Sequence, residues 1–146
     1  MPRVTLPLLA ERDLAAPLAW RGGQPVSGHA FLAAAARLAE RLPAAGQPIN
    51  LCQDRLHFAL GLAAALLRGQ ASLMPPNALP ATLRQLPAIG APTYVLADAE
   101  DLDSAGLRVV QVGFDEVAGT SPAPSGATRV AQMPRGRLVP PAVRLD

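Results

Sequence analysis

The stretch from Arg55 to Arg68, RLHFALGLAAALLR, constrains the fold more than any other, because it has helical length and is apolar nearly all round. A surface helix needs one apolar stripe, whereas a helix apolar on every side must be covered on more than one. Asp54 stands where an N-cap belongs, and Gly69 stands where a helix stops. The longest strongly apolar run inside it, Phe58 to Leu67, is far short of the ~20 residues that cross a membrane. The segment therefore reads as a buried helix facing both a sheet and a neighbouring helix, with Gly61 permitting close approach of another backbone.

The flanking residues supply those neighbours. Leu18–Trp20 and Gln24–Val26 read as two short extended pieces around the Gly22–Gly23 turn. Ser27 then caps a helix from Gly28 to Leu42, in which Phe31, Ala35, Leu38 and Leu42 recur at helical spacing opposite Arg37, Glu40 and Arg41. Ile49–Cys52 is a first strand candidate and Ala71–Met74 a second, stopped by Pro75 and Pro76. A short helix opens at Asn77 or Pro80 and runs to Pro87. Thr93–Ala97 and Leu107–Val112 complete the set. Strands alternating with helices of crossover length imply an α/β layered fold with parallel strands, preceded by a small hairpin. Residues 1–118 are expected to form one domain, and 119–146, rich in Ser, Pro, Gly and Arg, a flexible irregular tail.

Composition excludes several functions. Half of the 146 residues are hydrophobic, yet aromatics amount to three Phe, one Trp and one Tyr, so the core must be Ala, Leu and Val. All thirteen basic residues are Arg. Without lysine there is no phosphate-binding ammonium, Schiff base or catalytic amine. A net charge of +2, with tail arginines (Arg129, Arg135, Arg137, Arg144) that lack interleaved aromatics, does not imply nucleic acid. The single cysteine, Cys52, and two histidines, His29 and His57, leave no disulfide and no zinc framework. A soluble cytoplasmic protein without a membrane span is the expectation.

Four constellations invite a chemical reading. Asp54 and His57 lie three apart on one helix face and could meet as acid and orienting group, but an N-cap Asp with a surface His accounts for them. The acidic run Asp98, Glu100, Asp101 and Asp103 fails as a calcium loop, since a loop begun at Asp101 has Ala105 at a ligand position and Val112 at the bidentate one. Gly119–Gly126 resembles a phosphate cradle only superficially, because Pro122 and Pro124 delete amide donors. Cys52 has Asp54 nearby, which raises a thiol pKa, so it reads as a core residue. No catalytic, cofactor-binding or metal-ligating residue is assigned.

Two strings do resemble a family. Ala19-Trp20-Arg21-Gly22-Gly23-Gln24-Pro25-Val26-Ser27 with its following helix is similar to the opening of the adenylate-forming (AMP-binding) acyl-CoA synthetases and ligases. The stretch Asp54-Arg55 to Gly69-Gln70-Ala71-Ser72-Leu73-Met74-Pro75-Pro76-Asn77 is similar to that family's Ala- and Leu-rich helix, turn, apolar strand and Pro-containing exit. The resemblance covers roughly Leu18 to Val112, which it identifies with the first, flavodoxin-like subdomain of the large N-terminal domain. It implies a scaffold role in activating a carboxylic acid with ATP to an acyl adenylate. The family's phosphate loop with its lysine is not matched here, so ATP and magnesium are expected only for a full-length relative. The tail from Met133 reads as a truncated, frameshifted or degenerate version of that loop region. The chain is thus expected to be an N-terminal scaffold fragment, inactive alone. The alternative is a stand-alone non-catalytic interaction module that complements a separately encoded remainder or partner, and a third reading is an unrelated flavodoxin-like binding domain. Self-association is expected through an exposed apolar face of the helix from Asp54 to Arg68.

Overall fold

A computed structural model describes residues 8–10, 13–86 and 92–114. The chain opens with an antiparallel hairpin, β1 (Pro17–Arg21) and β2 (Gln24–Ser27). Gly22 and Gly23 take φ of +53° and +77°, the pair of positive values that lets a two-residue turn follow the twist of its strands. Ser27 then caps α1 (Gly28–Arg41) by accepting from the Ala30 amide at 3.1 Å. The helix stops at Leu42, whose extended backbone is what a following proline imposes.

Next come β3 (Gln47–Asn50), α2 (Arg55–Leu67), α3 (Pro80–Gln85), β4 (Thr93–Ala97) and β5 (Val109–Gln111). The last three strands form a parallel sheet in the order β3-β4-β5. Side chains alternate across it. Tyr94, Leu96, Val110 and Val112 face α1 and α2, joining Phe31, Leu38, Leu60 and Ala64 in the larger apolar cluster. Ile49, Val95 and Ala97 face the other way and pack with Leu83 of α3. Helices on both faces of a parallel sheet make this a mixed α/β fold, as the alternating elements predict.

The strand expected at Ala71–Met74 is not formed. Only Leu73 pairs, in an isolated parallel bridge to Ile49, donating to the Pro48 carbonyl at 2.7 Å and accepting from the Asn50 amide at 3.2 Å. Prolines delete the next rung on each side: Pro48 has no N–H to give to residue 71, and Pro75 has none to give to Asn50. Leu73 nevertheless lies outside β3, so the chain leaves β3 toward one side and returns to β4 on the other. The expected strand limits also change: the strand expected at Ile49–Cys52 begins two residues earlier and ends at Asn50, and the one expected at Leu107–Val112 keeps only Val109–Gln111. The expected boundary at 118/119 and the tail lie outside the described residues.

Buried polar groups stitch the layers. Tyr94 donates its hydroxyl to Gln70 Oε1 at 2.5 Å, and Gln70 Nε2 donates to the Pro43 carbonyl at 2.7 Å. Burial pushes the Tyr94 phenol up to about 12, so it stays a donor. Tyr94→Phe is expected to leave the Gln70 oxygen buried without a donor and to cost about 1–2 kcal/mol in urea unfolding. A change within error would show that this link carries no stability.

Gly61 differs from expectation in its reason. A Cβ there would stand 3.0 Å from Asn50 Nδ2 and 3.1 Å from Leu96 Cδ1. The glycine seats a side chain, not another backbone. Asn50 uses the space to donate to the Phe58 carbonyl at 2.9 Å and to accept from the Cys52 amide at 3.3 Å. One buried side chain thereby joins the end of β3, the loop after it and α2.

Candidate functional site

In open parallel sheets, loops that leave adjacent strands in opposite directions open a crevice at the strands' carboxyl ends. Here that point lies between β3 and β4, where Gln53 and Asp54 follow one strand and Asp98 the other. The crevice is filled from within. Asp98 accepts from the Gln53 amide at 2.9 Å (Oδ1) and 3.2 Å (Oδ2), and from the Asp54 amide at 2.9 Å. Its Oδ2 also takes a hydrogen bond from His57 Nδ1 at 3.1 Å. Burial works to raise the Asp98 carboxyl, but the two amides and the ring together hold it below the ordinary Asp value.

His57 completes a chain of polar contacts. Arg21 Nη1 lies 2.8 Å from His57 Nε2. A guanidinium only donates, so Nε2 accepts, and the ring's proton sits on Nδ1, where it meets Asp98. The expected surface histidine is a correction: its side chain is 12% exposed and that of Asp98 is 9% exposed. Arg21 from the hairpin and Asp98 from the end of β4 cover a ring that α2 alone would leave in water. Asp54 is the N-cap the sequence predicts. Its Oδ1 accepts from the Leu56 and His57 amides at 2.8 and 3.0 Å, so Asp54 meets the His57 backbone and not its ring. Those amides, the His57 one foremost, lower the Asp54 carboxyl.

An aspartate that orients a histidine is half of a general-base arrangement. In this chain the working nitrogen is blocked. Arg21, a permanent cation, occupies Nε2, and no hydroxyl or thiol bonds to the ring among the described residues. Cys52 is buried, and its thiol is pushed up to about 12 by burial first, then by Asp98 and Asp54. It stays protonated and unreactive at neutral pH. Glu100, Asp101 and Asp103 lie in the loop between β4 and β5. No cluster of three His, Cys, Asp or Glu able to hold a metal exists among the described residues. Gly119–Gly126 lies outside them.

Beside this polar chain lies an open groove of about 530 Å³. Phe31 of α1 with Leu56 and Ala59 of α2 form its apolar floor, and Leu18, Ala19 and Trp20 of β1 form a wall. Asp54 and Arg55 stand on its rim. Trp20 is 68% exposed. The Arg21–His57 bond ties the strand carrying the wall to the helix carrying the floor. Sequence reasoning missed both Arg21 and Asp98 as partners of His57. The available signal was an Asp directly after an apolar parallel strand, the position from which a side chain reaches the loop of the neighbouring strand.

No protein-family model matches the chain, and no curated protein matches it. Among solved structures it is similar to a double mutant of o-succinylbenzoate CoA synthetase from Bacillus subtilis bound to a product analogue, at 19% identity and a TM-score of 0.48. The match covers 68% of this chain and spans 22% of that one. A likeness of that degree assigns neither family nor activity. No helix among the described residues is long and apolar enough to cross a membrane.

Proposed function

We propose that this chain is a non-catalytic scaffold: the N-terminal α/β part of a protein similar to the AMP-dependent acyl-CoA synthetases and ligases, without activity of its own. The observation that carries the role is the occupied crevice. Asp98 takes the Gln53 and Asp54 amides that an incoming anion would need, and its negative charge repels a phosphate or carboxylate from the same place. The family reading rests on the two strings that resemble it. The first falls on the hairpin with α1 and the second on α2 with its exit through Pro75 and Pro76, the apolar strand that the resemblance implies there being reduced to the single bridge of Leu73. ATP and magnesium then belong to segments that carry the phosphate loop and lysine.

The test is ATP–pyrophosphate exchange with a panel of carboxylic acids. The expected result is no exchange by the chain alone, and exchange when a polypeptide bearing the phosphate loop and lysine of an adenylate-forming enzyme is added. Exchange by the isolated chain would overturn the scaffold role. A second reading, an interaction module with no ligase partner, is favoured by one feature, the apolar groove with its exposed Trp20.

A further inference from the structure

We infer that the groove beside Trp20 is the surface through which two copies of this chain pair about a two-fold axis, the indole of each entering the groove of the other. This deepens the interaction-module reading and rests on it, and its failure leaves the scaffold reading untouched. A two-fold operator requires a self-complementary patch, because whatever residue i touches on residue j is repeated as j on i. This patch offers both halves of such a contact. It carries a projection, Trp20, 68% exposed, next to a recess of about 530 Å³ floored by Phe31 and Leu56.

The rim adds a second complementary pair. Asp54 and Arg55 are neighbours of opposite charge, and both are exposed. Asp54 spends Oδ1 on two helix amides, while Oδ2 has no hydrogen bond among the described residues. The Arg55 side chain has no hydrogen bond or ion pair among them either. Arg21, the other cation near Asp54, is engaged with His57. Across a two-fold axis Asp54 of one copy meets Arg55 of the other, twice, which fixes orientation more than it adds affinity. A partner of different chemistry would have to supply a projection, a recess, an acid and a base in one arrangement; a second copy has them already.

Size sets the strength. A tryptophan buries roughly 150–250 Å², so two of them with the groove walls stay at or below roughly 1,200 Å², the low end of specific interfaces. The dimer is therefore reversible and dependent on concentration.

Trp20 is the only tryptophan, so its emission reports its own burial. The experiment follows sedimentation and fluorescence of the full chain in one dilution series from about 1 µM to about 1 mM, the range that brackets weak dissociation constants. Mass is expected to double while emission shifts to shorter wavelength, with one shared midpoint. Trp20→Ser and Arg55→Glu should each raise the dissociation constant at least about tenfold. Neither should lower the thermal midpoint of the dilute protein, since both side chains are exposed and an acid in the first turn of α2 suits the helix dipole. The mass of a single copy throughout would overturn the inference. So would a dimer indifferent to both substitutions, growth beyond two copies, or a short-wavelength emission that ignores dilution because the chain covers its own Trp20.

Discussion

Asp98→Ala lowers the unfolding free energy at pH 7 by about 2–3 kcal/mol, because one carboxylate serves two backbone amides and the His57 ring, and hydrogen bonds to charged groups are the stronger class. Water reaches the exposed Gln53 and Asp54 amides in the variant, which keeps the loss below the sum of three full bonds. Asp98→Asn retains one acceptor oxygen and should lose about half as much. The measurement is urea unfolding with a common slope. A loss under about 0.5 kcal/mol would mean that Asp98 does not hold the ends of β3 and β4 together.

The same carboxylate gives the prediction its pH dependence. Its folded pKa is lowered relative to the unfolded chain, so its stabilisation is fully present above the ordinary Asp value of about 4. It is lost as pH falls below that value through the folded one. Wild type and Asp98→Ala should therefore differ most at neutral pH and converge in acid. Asp54, lowered in the same direction, keeps some pH dependence in the variant. A difference that stayed constant between pH 7 and pH 3 would contradict the charge of Asp98 as its source.

Gly46→Ala is the second large effect, with an expected loss of about 2–4 kcal/mol. Gly46 has φ of +137°, and a Cβ there would stand 2.8 Å from the Pro92 carbonyl oxygen. That oxygen accepts the Gln47 amide at 2.8 Å, the bond that starts the β3–β4 pairing. Alanine thus meets a disfavoured backbone conformation and also pushes apart the two strands it must let meet. Gly106→Ala is the control. Its φ is +82° with nothing within 4 Å of the added carbon, so it pays the backbone cost alone, about 1–2 kcal/mol. Equal losses at the two positions, read from thermal unfolding, would remove the steric part of this account.

Much of the fold was legible because its signals are local. Ser27 and Asp54 cap helices within three residues of themselves. The Gly22–Gly23 turn, the 3.6-residue recurrence in α1 and the strand at Thr93–Ala97 are likewise contained in a few consecutive residues. The strand at Ala71–Met74 was misjudged because apolar content predicts extension but not pairing. Whether Leu73 gains neighbours depended on Pro48, which lies on another strand. His57 was misjudged for a similar reason: on α2 alone it is a first-turn residue in water, and its two partners are 36 and 41 residues away.

What the sequence determined by itself is therefore the order of the hairpin, the helices and the strands other than Ala71–Met74, the burial of one side of α2 and the lack of lysine chemistry. Each follows from periodicity, capping or composition, which need no knowledge of what lies across the sheet. Tertiary structure alone decided that the carboxyl ends of β3 and β4 stand side by side, so that Asp98 meets the Gln53 and Asp54 amides and Arg21 meets His57 Nε2. It also decided that Trp20 remains exposed beside an apolar groove. Those outcomes depend on parallel register and on how the hairpin docks against α2, relations between distant residues that no local pattern encodes.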